Sequence, residues 1–163
     1  MADTQPPPHA GVSFPPPFLY VAAFVAGLLL QRGWPLPITG PEHANARGPV
    51  LVAGLALFLM FLGLLASAFF NFGRARTTVI PNRPASALVT SGPYRISRNP
   101  MYLALALLHA GLALLLNTWW PLFFLPIAVI AIDRLVIARE ERYLASAFPQ
   151  EYGAYSSRVR RWL

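Results

Sequence analysis

Apolar residues in this chain fall in long unbroken blocks, not in the alternating or striped patterns of a soluble domain. The first block, Phe18 to Leu30, is short against the about 20 residues a crossing helix needs. It extends back to Phe14 or ends in "GWPLPI", whose prolines break helix. The second block, Pro49 to Phe70, carries no charge and is long enough to cross a bilayer. A polar segment from Asn71 to Asn99 follows, with Arg74, Arg76, Arg83, Arg95 and Arg98. From Pro100 to Ile132 there is again no formal charge, counting His109 as neutral. That run is too long for one crossing and slightly short for two. Its break is "NTWWP": Asn117 and Pro121 are turn and helix-entry residues, and Trp119 and Trp120 suit a membrane–water interface. The pattern predicts a helical hairpin whose second arm runs past Asp133 and Arg134 towards Glu140.

The expected fold class is therefore all-α, a polytopic membrane protein of about four transmembrane helices. It ends in the helical hairpin and an amphipathic cytoplasmic tail, "EERYLASAFPQEYGAYSSRVRRWL". Residues 1–17, with two triple-proline clusters, are expected to be a flexible, extended lead-in without the charged start of a signal peptide. Residues 18–163 then form a single membrane domain, with full spanning by its first block left open.

Composition sharpens this picture. Only 12% of the 163 residues are charged, against about 25% in soluble domains, which excludes a large soluble core. The net charge of +7 comes from arginine alone. These arginines flank the apolar blocks, which points to the bilayer and its anionic headgroups and away from nucleic acid. Five lie between the second and third spans, five after Ala138, and only Arg32 and Arg47 between the first and second. The positive-inside rule puts the rich segments, and both termini, in the cytoplasm. With no cysteine there is no disulfide framework, thiolate chemistry or cysteine metal site, and no metal is expected. Oligomeric state leaves no mark.

Folding the hairpin about Trp119 places equidistant positions at similar depth. Arg98 then pairs with Glu140, Asn99 with Arg139, and Tyr102 with Leu135 or Val136. The polar stretch "GPYRISRNPMY" thus meets Arg139, Glu140 and Glu141 at the cytoplasmic mouth. On helical spacing, Asp133, Ile137, Glu140 and Glu141 share roughly one face. Asp133 is the informative member, because an ionisable group inside an apolar helix costs about 2.5–3.5 kcal/mol and usually lines a cavity or site. Arg158 to Arg161 read as interfacial anchors, and His109 as a packed residue hydrogen-bonded to a neighbouring helix. Pro100 biases Asn99 away from helix and leaves free N–H groups that favour an anion. Glu140 and Glu141 opposite suit an ammonium or ribose hydroxyls, so a zwitterionic ligand bearing a sugar satisfies both sides.

"SGPYRISRNPMYL", followed by "REERYL" and "EYGAYSSRVRRWL", resembles the integral-membrane methyltransferases of the isoprenylcysteine carboxyl methyltransferase and phospholipid methyltransferase type. The upstream "TTVIPNRPASALVTSGPY" looks like the bacterial branch, and the resemblance covers Thr77 to Leu163. Their signature is Arg-His-Pro-x-Tyr-x-Gly, then a glutamate pair about a hairpin later. The resemblance implies S-adenosylmethionine as methyl donor, bound between the last two membrane helices and the tail. Carried over, Leu88, Val89, Tyr94, Arg98, Asn99, Pro100, Met101 and Tyr102 would hold the cofactor, with Glu140 or Glu141 on its polar groups. Asn99 stands where the signature has His, which excludes any proton transfer assigned to that His. Ala104 stands for Gly, and Val136 for an arginine of the prenylcysteine enzymes.

The acceptor is expected to be lipid-like or small and membrane-associated, with a carboxylate, amine or thiol. Arg134 or Arg139 would position a carboxylate; Asp133, Glu140 or Glu141 would take the proton of an amine. The implied location is a bacterial inner membrane, with the site facing the cytoplasm. Two other readings stand beside this one: an NADPH-dependent membrane reductase of the sterol or steroid type, and a non-catalytic membrane scaffold.

Overall fold

Prolines and polar turns set where each apolar block becomes helix. The computed structural model describes residues 10–12, 14–77 and 84–163, so Arg83 and the first triple-proline cluster lie outside the described residues. Among the described residues every element is helical: α1 (Pro17–Gly33), α2 (Arg47–Arg74), α3 (Pro100–Leu115), α4 (Trp119–Ile132), α5 (Ala138–Ala147) and α6 (Pro149–Ser156). Pro17, Pro100 and Pro149 each open a helix, where the missing N–H has no partner to lose. The proline ring also pushes the preceding residue out of helix, with φ of −129° at Asn99 and −133° at Phe148. A π-turn, Asp133–Ile137, joins α4 to α5 without a break.

Among the described residues two helices are long and apolar enough to cross a membrane: α2 and the continuous Trp119–Ala147 rod. The apolar α1 and α3 have 17 and 16 residues, under the about 20 of a straight crossing. The expectation of about four spans therefore rests on two long helices and two shorter ones.

Helix α3 packs against α2, α4 and α1, and α1 lies chiefly along α4. The α2–α3 crossing is close because Gly54 faces Gly111. A Cβ on Gly111 would stand 3.0 Å from the Gly54 carbonyl oxygen and 3.1 Å from the Phe58 nitrogen, so only small residues permit this approach.

The predicted turn forms at Asn117, in the left-handed region at φ +57°. Its side chain donates to the Thr39 carbonyl and accepts from the Thr39 N–H, both at 2.9 Å. Arg47 donates to the Leu114 and Leu115 carbonyls, which α3 leaves free at its end. His109 donates from Nε2 to the Pro121 carbonyl at 2.9 Å, tying the two arms as expected.

At the other end of the bundle, Val12 is buried against Ile132, Val136 and Ile137, and Arg139 donates to the Gly11 carbonyl. Of the expected flexible lead-in, residues 1–17, the part around Val12 is packed against the bundle, and residues 1–9 and 13 lie outside the described residues.

Candidate functional site

The hairpin brings the two polar ends together, with partners displaced from simple depth counting. Tyr102 donates to Glu140 at 2.7 Å, not to the level of Leu135 or Val136. Arg98 pairs with Glu141, not Glu140, at 2.8 Å with both side chains largely buried. Asn99 donates not towards Arg139 but to the Arg161 carbonyl at 3.0 Å. The π-turn contributes to this: its i→i+5 bonding holds more residues per turn than an α-helix, so residues beyond it lie nearer the tip than an even rise places them, and the long Tyr102 and Glu140 side chains span the remaining difference.

The same wider turn brings Asp133 and Glu141 within reach of one side chain. Arg161 pairs with both carboxylates, and the Trp162 indole N–H also donates to Asp133 at 3.1 Å. Arg161 is therefore not the surface anchor expected of it. Its carboxylate partners, Glu141 first, raise its pKa and hold it charged.

A cavity of about 390 Å³ opens beside these pairs, inside the about 300–1,000 Å³ range of small-molecule sites. Helix α2 contributes Leu65, Phe69 and Phe72; α3 contributes Met101, Tyr102 and Leu105. The chain before α3 adds Leu88, Val89, Tyr94, Arg98 and Asn99. Glu140, Glu141, Tyr143 and Leu144 come from α5, Tyr152 and Tyr155 from α6, and Ala10, Pro16 and Pro17 from the N-terminal side. Of the ten residues the resemblance assigns to the cofactor, only Pro100 stands behind the wall, buried at the start of α3.

The four catalytic candidates separate. Glu140 lines the cavity. Asp133 is engaged by the tail. Arg134 is 81% exposed and Arg139 exposed, and neither borders the cavity.

Sequence reasoning missed the tyrosines of the far wall. Tyr155 donates to the Tyr94 carbonyl at 2.7 Å, and the Tyr143 hydroxyl accepts from the Ala85 N–H, so α5 and α6 grip the chain before α3. The three-residue spacing of Tyr152 and Tyr155 was the available signal, since it puts both on one side of a helix. Burial pushes the Tyr155 and Tyr94 hydroxyls above their ordinary range. Tyr152 rises to about 12, through burial first and the charge of Glu141 second. All three remain protonated donors at neutral pH. Among the described residues the buried Tyr152 hydroxyl has no well-formed hydrogen bond, and Glu141 is the carboxylate near enough to accept a weak one.

Residues 49–151 match the family described as phospholipid methyltransferase. Over 102 residues the chain is 36% identical to the cobalt-zinc-cadmium resistance protein CzcN of Cupriavidus metallidurans, covering 62% of this chain and 47% of that protein. The chain thus spans about half the length of that relative. An uncharacterized protein of Haemophilus influenzae is 41% identical over 63 residues, 39% of this chain and 100% of its own length. No solved structure matches. The matched stretch takes in α2 through α5, with the Arg98–Tyr102 corner and both cavity glutamates. On that match the chain belongs to the phospholipid methyltransferase family, a family of membrane methyltransferases.

Proposed function

We propose that this protein transfers a methyl group from S-adenosylmethionine to a lipid-like or small membrane-associated acceptor. One observation carries the reading: a single cavity gathers the Arg98–Tyr102 corner, Glu140 and Glu141 within the family segment. The residues present fit such a donor. Glu140 can accept from an ammonium or a ribose hydroxyl, the Tyr152 hydroxyl on the cavity wall can donate, and Tyr94, Tyr155 and Phe72 offer aromatic surface to a purine.

Bound there, the donor supplies an electrophilic methyl on a sulfonium sulfur. The chain's task is then to align an incoming nucleophile in line and to exclude water. Glu140, held by Tyr102, is placed to receive the proton an amine must release. Among the described residues Arg98 is the arginine that lines the cavity, and it is committed to Glu141, which favours an acceptor that needs no cation to position it. Leu65 and Phe69 on α2 and Pro16 and Pro17 at the start of α1 give the cavity an apolar side, suited to a lipid tail arriving from the bilayer.

The arginine-rich segments stand at the cavity end, while Arg47 sits at the far end beside Leu114 and Leu115. This supports a bacterial inner-membrane protein with four crossings and its cavity towards the cytoplasm. The family match favours methyl transfer over the reductase and scaffold readings.

Calorimetry with S-adenosylhomocysteine on the purified protein tests the proposal. Binding by the unmodified protein, lost or weakened in Glu140→Ala, is the expected outcome. Binding of NADPH in its place, or of neither ligand in detergent or lipid, overturns it.

A further inference from the structure

The last residues of the chain have no helix of their own, yet their carbonyls are not left to water. Arg98 donates from its backbone N–H to the Arg160 carbonyl at 2.9 Å and from its guanidinium to the Ser156 and Val159 carbonyls. The Ser97 hydroxyl and the Asn99 amide both donate to the Arg161 carbonyl. Three consecutive residues thus serve as a receptor for the returning tail. Asn99 performs a task there that needs only an amide.

From the other side, Arg161 reaches Asp133 with Nη1 at 3.2 Å and pairs with Glu141 through Nη2. Asp133 collects a third hydrogen bond from the Trp162 indole. Asp133 lies in the π-turn behind the cavity wall. Glu141 and Arg98 belong to that wall, and also to a second, open cleft of about 560 Å³ on the tail side, with Tyr152 common to both. The Arg98–Glu141 pair therefore stands between the two spaces, and the tail is what braces it.

We infer that Asp133 and Arg161 are positioning residues for the methyl-donor site. They latch the C-terminal tail against the hairpin and thereby hold Glu141 and Arg98 as the cavity's inner wall. This accounts for an acidic residue at the end of the apolar run of α4, whose charge is matched by Arg161 instead of being spent on proton transfer. The role rests on the methyltransferase reading, because the wall it braces is the one assigned to the donor.

The test uses the full chain in lipid nanodiscs. S-adenosylhomocysteine affinity and amide hydrogen exchange over residues 157–163 are measured for the unmodified protein, Asp133→Asn, Arg161→Ala, Arg161→Lys and Trp162→Phe. Arg161→Ala and Asp133→Asn should weaken binding about tenfold or more, the step of one affinity decade, with faster exchange in the tail. Arg161→Lys, which keeps the charge, should recover most of the affinity. Trp162→Phe removes one N–H and no charge, so it stays informative where the charge variants do not fold; it should speed tail exchange and weaken binding by a smaller factor. A released tail with unchanged affinity overturns the inference, as does lost affinity with an undisturbed tail. Absence of binding by the unmodified protein instead overturns the methyltransferase reading, and this role falls with it.

Discussion

Tyr102 and Glu140, thirty-eight residues apart, share a hydrogen bond of 2.7 Å across the hairpin. Tyr102 sits in the first turn of α3 and Glu140 in the first turn of α5, so the bond exists only because the chain doubles back at Asn117. Such a bond contributes about 0.5–1.5 kcal/mol between neutral groups and about 1.5–3 kcal/mol where the acceptor is ionised. Tyr102→Phe should therefore lower the melting temperature by several degrees and weaken S-adenosylhomocysteine binding several-fold. Glu140→Gln keeps an acceptor for Tyr102 but removes the charge. It should fold normally and lose about tenfold in affinity. Equal affinity in Glu140→Gln and the unmodified protein would show that no cation or hydroxyl of the ligand uses this carboxylate.

Arg98 carries more structure than any other polar residue of the corner. It pairs with Glu141 and satisfies two tail carbonyls with its guanidinium. Removing one partner of a buried pair typically costs about 3–5 kcal/mol, because the other charge remains buried and alone. Arg98→Ala should accordingly show a large drop in melting temperature and early proteolytic loss of the tail. Arg98→Lys keeps the charge but not the planar fork, and should fall between the two. A melting curve for Arg98→Ala superimposable on that of the unmodified protein would remove the pair from the account of stability.

Much of this was readable from local signals. The turn at "NTWWP" is marked by its residue types, and the meeting of "RNPMY" with "REE" follows from an even rise counted outward from the tip. Two features were out of reach for physical reasons. The π-turn at Asp133–Ile137 leaves the hydrophobic pattern unbroken, so the partners of Arg98 and Tyr102 could not be assigned to the right residue. Arg161 carries the same local signature as Arg158 and Arg160, and only the path of the returning chain separates a latch from a surface charge. Phe69 of the cavity wall was hidden likewise, since it belongs to an apolar block where every position reads alike, and Phe72 stands just past that block among polar residues.

The glycine contact between α2 and α3 makes a prediction independent of the chemistry. Around Gly111 there is no room for a side chain, because the Gly54 carbonyl and the Phe58 nitrogen are backbone and cannot rotate away. Gly111→Leu must push α2 from α3, and overpacking of this kind costs about 1–3 kcal/mol or more. The expected readout is a broadened or aggregated peak on detergent gel filtration. Gly63→Leu, on a part of α2 where a Cβ meets nothing within 4 Å, should elute as the unmodified protein does.

Tyr152 separates binding from stability. Among the described residues its buried hydroxyl makes no well-formed hydrogen bond, Glu141 offering at most a weak one, and a buried polar group left unsatisfied costs up to about 1–3 kcal/mol. Tyr152→Phe removes that cost while keeping the ring against Tyr155, so the protein without ligand should melt at the same temperature or higher. If the hydroxyl is kept for a ligand, the same substitution should weaken S-adenosylhomocysteine binding several-fold, and the thermal shift on adding ligand should shrink. Stability and affinity would then move in opposite directions, a signature that simple damage to the fold does not give. A Tyr152→Phe protein that is more stable and binds as tightly as before would mean that the hydroxyl serves no ligand in this cavity, and the donor would have to be held by Glu140 and the remaining wall alone.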